Sequence, residues 1–167
     1  MNTCVLTVTI DAESQAFFDD LRLRYFPKER NLLKAHLTLF HKLPDSEEIL
    51  GVLERIHQQS FVADIAGLKS IGNGLAYFFE SEQLLVLHRG LQSLFRVHLT
   101  AQDKQKIRPH ITIQNKVTPQ EVKVALETLR NMFTPAQIKI TGLDLWHYMG
   151  GPWKHYKHFT FPDIQLQ

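Results

Sequence analysis

The amino-acid sequence predicts an α+β fold: two pseudo-symmetric lobes, each an antiparallel sheet with flanking helices, on either side of a central cleft. Three observations predict it. Short β-prone runs alternate with stretches of helical apolar period. The order strand, helix, strand, Gly-containing turn, strand occurs twice, in repeat units of roughly 31–80 and 105–161 within one domain spanning 1–167. A His-apolar-Thr-apolar tetrapeptide opens each copy, His36-Leu37-Thr38-Leu39 and His110-Ile111-Thr112-Ile113. His36 and His110 lie 74 residues apart, as do Lys42 and Lys116.

Residues 4–10 alternate apolar side chains with threonine and read as a strand. Over 13–26, Phe17, Leu21 and Tyr25 recur near helical spacing, and Pro27 ends the run. Residues 36–40 are a short β-prone run with Pro44 close behind. Asp45 or Ser46 caps a helix whose stripe is Ile49, Leu50, Leu53 and Ile56. Strands follow over 61–71 and 75–80, joined by the turn signal Gly72-Asn73-Gly74. A helix over 82–97 and a polar loop with Lys104 and Lys106 lead to Arg108-Pro109 and a strand over 110–114. Thr118-Pro119 opens the next helix, with Val122, Ala125, Leu126 and Leu129 as its stripe. Strands over 136–148 and 153–161, joined by Gly150-Gly151-Pro152, complete the pattern.

Apolar residues make up 44% and charged residues 22% of the 167, which suits one globular domain. The net charge is +2 and no long basic run occurs, so duplex DNA is not an expected partner; a local basic pocket is still open. Cys4 is the only cysteine, so neither an intrachain disulfide nor a Cys-based zinc site is expected. The histidines lack spacings such as His-Glu-x-x-His, and no metal or cofactor is expected. No signal-peptide pattern and no apolar run near the roughly 18 residues of a membrane span occurs, so a cytoplasmic monomer away from membranes is expected. Nine histidines are the one oddity.

On a strand, residues i and i+2 share a face. His36 and Thr38 would project together while Leu37 and Leu39 bury, and His110 and Thr112 would do the same. Two imidazoles and two hydroxyls in one cleft suit phosphodiester cleavage. A neutral histidine takes a proton from water or a ribose hydroxyl, and a protonated one donates to the leaving oxygen. The hydroxyls hydrogen-bond the non-bridging oxygens as charge builds. An ordinary pKa near 6.5 lets one residue type fill both roles. The tetrapeptide also occurs at His98-Leu99-Thr100-Ala101 and His158-Phe159-Thr160-Phe161. Position in the repeat selects His36 and His110, and His98 and His158 are expected in structural or surface roles.

Together with Trp146-His147-Tyr148-Met149-Gly150-Gly151-Pro152-Trp153, these motifs resemble the two-histidine phosphoesterases, nearest to their 2′-5′ RNA ligase-like branch. The resemblance implies a bilobal fold with both motifs in the cleft. It implies catalysis by His36 and His110, phosphate contacts from Thr38 and Thr112, and RNA ends or small nucleotides with a 2′,3′-cyclic phosphate, or 2′-5′ linkages, as substrates. It also suggests His110 as the base towards water and His36 as the acid. Many members of the branch carry an arginine five residues after the second motif histidine, where this chain has Asn115. Counting in twos along the strands makes Lys42 and Lys116 candidates for binding phosphate, against a reading as solvated strand-end lysines. Trp153, Tyr148 and Phe40 are candidates for stacking on a base, although Trp153 could equally pack the hairpin end; Arg108 could reach the cleft or an acidic neighbour. Two other readings use the same cleft: a non-catalytic binder of nucleotides or RNA ends, and a cyclic phosphodiesterase for small molecules.

Overall fold

The computed structural model describes residues 2–130 and 136–164. Its strands are β1 (Thr3–Ile10), β2 (Thr38–Pro44), β3 (Phe61–Ser70), β4 (Leu75–Glu80), β5 (His110–Gln114), β6 (Gln137–Tyr148) and β7 (Trp153–Thr160). Its α-helices are α1 (Ala12–Tyr25), α2 (Glu47–Glu54), α3 (Glu82–Leu94) and α4 (Pro119–Arg130). None of these helices is long and apolar enough to cross a membrane.

Each helix begins where a side chain satisfies its free backbone N–H groups. Asp11 accepts from Ser14 N at 3.0 Å, Ser46 from Ile49 N at 3.3 Å and Ser81 from Leu84 N at 3.2 Å. Before α4, Thr118 N donates to Glu121 at 2.8 Å while Glu121 N donates back to Thr118 Oγ1 at 3.2 Å, a reciprocal capping box with Pro119 in the first turn. The helix expected over 82–97 stops at Leu94 and continues as a 3-10 turn, Arg96–His98.

All pairings are antiparallel and join into one seven-stranded sheet, β2-β1-β6-β3-β4-β5, with β7 also on β6. The lobes are therefore continuous through β6. That strand pairs β3 over 137–140 and β7 over 142–148, and it changes partner at a bulge, where Thr9 faces Gly142 but Ile10 faces Ile140. Gly142 is needed there, since an added Cβ would sit 2.5 Å from the Phe159 carbonyl oxygen. The strand order is unchanged when β1, β2 and β3 are exchanged with β4, β5 and β6. By this pairing, the equivalent stretches start at β1 and β4, earlier than the drawn units, and β7 is an addition.

One face of the sheet is apolar and covered by helices: Cys4, Leu6, Val8 and Ile10 of β1 lie in the core with Ile138, Ile140, Leu143 and Leu145 of β6. Thr7, Thr9, Asp144 and Trp146 occupy the other face and line a cavity. The helices cross over. Phe18 of α1 packs edge-on against Tyr77 and Phe79 of β4 at 5.5 and 5.9 Å, whereas α3 sets His88 flat on Phe40 of β2 at 4.8 Å. Of the two outer strands, β5 begins at His110, whereas β2 begins at Thr38. His36 and Leu37 lie just before β2, and the strand expected over 36–40 starts two residues later. Each outer strand is thus gripped by the helix that belongs to the other half.

Candidate active site

The two histidines are held in the same way. His36 Nδ1 lies 2.7 Å from the Lys34 carbonyl oxygen, and His110 Nδ1 lies 2.7 Å from the Arg108 carbonyl oxygen. A carbonyl only accepts, so Nδ1 carries the hydrogen in both rings, and Nε2 is left as the atom that can take or give a proton. His110 stacks on Phe78 at 5.3 Å, and His36 sits tilted against Trp153 at 4.6 Å.

Polar braces from α1 position both motif strands. Asp19 accepts from Ala35 N at 2.8 Å, and Gln15 donates to the Ala35 oxygen at 2.9 Å, which fixes the backbone next to His36. Arg22, only 4% exposed, donates from Nη1 to the Thr112 carbonyl at 2.8 Å and from Nε to Asn31 Oδ1 at 3.1 Å. Its guanidinium lies 4.1 Å from the centre of the Phe26 ring. Burial pulls its pKa down to about 10, so it remains a cation at neutral pH. From the other side, Asp103 accepts from His41 N and Lys42 N at 2.9 Å each, and His88 Nε2 donates to the Leu39 carbonyl at 3.1 Å.

Burial lowers the His36 pKa to about 4; the bond to the Lys34 carbonyl opposes this, and the positive charges of Arg22, His110 and His41 add to it. His36 is therefore neutral at physiological pH. His36 lines a cavity of about 380 Å³ with Leu32, Trp146, Trp153, Thr7 and Thr9. His110 lines a smaller one of about 160 Å³ with Thr38, His41, Lys106 and Arg108. Thr112 lies on β5 between these braces and lines neither cavity.

Several residues expected at the site have other surroundings. Phe40 is fully buried between His88 and Phe95, so it offers no stacking surface to a ligand. The reason is a bulge: Thr38 faces Thr7, yet Phe40 faces Leu6, and the extra residue ends the alternation. A second shift before Leu43 removes the argument that placed Lys42, whose backbone is bound to Asp103. Lys116 lies beyond the end of β5 with a left-handed φ of 58°, so counting in twos from His110 does not reach it. Tyr148 is exposed opposite Trp153 at the end of β6 and does not line the larger cavity. Arg108 lines the smaller cavity and lies 5.6 Å from the centre of the Phe78 ring. His98 makes a 2.8 Å contact with exposed Glu48, and His158 sits 2.9 Å from Asp144; neither is in a motif-like position.

The sequence reading missed Arg22, Phe78 and Trp146. The signal for Trp146 was present in the alternation of Leu143, Asp144, Leu145 and Trp146 on β6. Arg22 had none, because a cation in an apolar stripe reads as solvent-facing.

A sequence profile described as the 2′-5′ RNA ligase superfamily matches residues 10–152. Apo E. coli LigT aligns with a TM-score of 0.63 at 16% identity, covering 97% of this chain and 98% of that one. TT0787 of Thermus thermophilus aligns with a TM-score of 0.67 at 18% identity, covering 98% and 100%. E. coli LigT complexed with 3′-AMP aligns at 0.60 and 16%, covering 97% and 99%. No curated protein sequence matches significantly. These solved structures share the fold with the chain, the profile spans most of its length, and both matches include the two histidine strands: the chain belongs to the 2′-5′ RNA ligase superfamily of two-histidine phosphoesterases.

Proposed function

We propose that the chain is a phosphoesterase acting on RNA or nucleotide 2′,3′-cyclic phosphates, or on 2′-5′ phosphodiester bonds, with His36 and His110 as its acid–base pair. The observation that carries this is the paired Nδ1 bonds to the carbonyls of Lys34 and Arg108, which leave two Nε2 atoms for proton transfer. In hydrolysis of a cyclic phosphate, neutral His36 takes a proton from water as its oxygen attacks phosphorus. The P–O bond to one ribose oxygen breaks, and protonated His110 gives that oxygen its proton; a ribose phosphomonoester leaves. This assignment, supported by the lowered pKa of His36, is the opposite of the one the resemblance suggests. Thr38 is assigned to the non-bridging oxygens and Arg108 and Lys106 to the phosphate, while Trp153 and Trp146 offer the base an aromatic wall; Thr112 takes its phosphate role from the resemblance alone. Nucleotide complexes of LigT, with 3′-AMP and with ATP, support a nucleotide-sized ligand. The two histidines fill both proton roles, so turnover is expected in excess EDTA, by a monomer in a reducing cytoplasmic setting.

His36→Ala and His110→Ala are each expected to lower turnover of a 2′,3′-cyclic nucleotide by about 10²–10⁴-fold with the fold intact by circular dichroism. Undiminished turnover in either variant would contradict the assignment. Binding of a 2′-phosphorylated nucleotide without turnover of any cyclic substrate would favour the non-catalytic reading that Asn115 motivates.

A further inference from the structure

Cys4, Asp45 and His147 are distant in sequence and meet at one end of the sheet. Cys4 stands opposite Leu43 on β2 and His147 on β6. Asp45 follows β2 directly, its N–H 3.4 Å from the Asn2 carbonyl oxygen. Strand pairing therefore fixes all three backbones. A ligand atom from each of the three side chains lies within 4.8 Å of the others. His147 Nε2 is shielded from solvent and has no hydrogen-bond partner among the described residues. Its closest approach is to Asp45 Oδ2 at 3.1 Å, off the hydrogen-bonding direction. A buried ring nitrogen left in this way is destabilising unless something else satisfies it. Tyr156, stacked on the imidazole at 4.1 Å, fixes the ring.

We propose that Cys4, Asp45 and His147 bind a divalent, borderline-soft cation of the zinc class, in a three-ligand site with a fourth position open. Thiolate, imidazole and carboxylate are donors that zinc accepts together, at about 2.0–2.3 Å from the ion, so a small inward movement of the three side chains closes the site. Without metal, burial and the neighbouring Asp45 carboxylate push the Cys4 thiol up to about 11, so the sulfur is protonated. Binding transfers that proton to solvent and leaves a thiolate on the ion. The expectation that one cysteine excludes such a site considered cysteine ligands alone; here three strand ends supply one ligand each. The ion staples the start of β1 and the turn after β2 to the end of β6, beside Trp146 of the His36 cavity. The site uses neither motif histidine and does not depend on the proposed catalysis.

Co²⁺ titration of the metal-free chain tests this, because a cobalt–thiolate bond gives a near-ultraviolet charge-transfer band. A saturable one-to-one band, displaced by Zn²⁺, is expected in the wild type and in the His36→Ala and His110→Ala variants. It should vanish in Cys4→Ser, and affinity should fall by roughly 10-fold or more in His147→Gln and in Asp45→Asn. Zn²⁺ should raise Tm in the wild type and not in Cys4→Ser. Asp45 lies on an exposed turn, so Asp45→Asn keeps the test decisive whether or not Cys4→Ser folds. The proposal is overturned by a folded wild type that shows no band, by a band and affinity indifferent to His147→Gln and Asp45→Asn, or by metal uptake lost only when His36 or His110 is removed.

Discussion

The surroundings of His36 and of His110 differ far more than their backbones do. Each ring gives its Nδ1 hydrogen to the carbonyl two residues earlier, at the same 2.7 Å. Around them the similarity ends. His36 faces two tryptophans in the larger cavity, and burial holds it neutral. His110 lies on Phe78 in a cavity lined by Lys106 and Arg108. The bracing residues diverge likewise: α1 supplies a buried cation, Arg22, to the Thr112 carbonyl, whereas α3 supplies His88, its pKa lowered by burial, to the Leu39 carbonyl. A repeated motif delivers two imidazoles with the same Nδ1 bond, and the difference in their environments is what the proposed division into base and acid rests on.

The largest expected break in this arrangement is at Arg22. Arg22→Met leaves the Thr112 and Asn31 oxygens without their donor, at about 1–3 kcal/mol for each acceptor. Urea denaturation should show the loss, and turnover should fall with it as β5 loosens. A midpoint equal to that of the wild type would remove Arg22 as a brace.

The pH dependence sharpens the comparison next. A base with its pKa at about 4 works above that value and fails as pH falls through it, so the acid limb of kcat/KM is expected near pH 4. A limb near the ordinary histidine value of about 6.5 would return His36 to the acid role. Stability follows the same sign. The unfolded chain protonates His36 near pH 6.5 and the folded chain only near 4, so stability is full above the higher value and declines between the two as acid is added.

Smaller effects distinguish the cavity walls from the strand ends. Trp153→Ala should weaken nucleotide binding by about 1–3 kcal/mol, read as a rise in KM, if a base stacks beside His36. Lys42→Ala and Lys116→Ala should each change binding by no more than about 0.5 kcal/mol, since neither lysine follows the alternation that would point it at phosphate. A larger loss in either lysine variant than in Trp153→Ala would invert this ranking.

The sequence made the element order and the paired motifs legible, because alternation, helical period and capping residues such as Ser46 and Thr118 act locally. It failed where local rules were broken by pairing. Bulges in the β1–β2 ladder turned Phe40 into the core and detached Lys42 from the His36 face. Arg22 is buried because Thr112, 90 residues away, accepts its hydrogen bond, and no periodicity within α1 reports that. The same holds for Gly74, where an added Cβ would stand 1.9 Å from the Gln114 carbonyl oxygen: the turn signal is local, but the close approach of β5 is not.

A crystal structure with inorganic phosphate bound addresses the acid–base pair itself. The expected result is one phosphate whose oxygens lie about 2.6–3.2 Å from both Nε2 atoms. A phosphate held by only one of the two rings, or bound at Lys42 or Lys116 with His36 and His110 uninvolved, would contradict it.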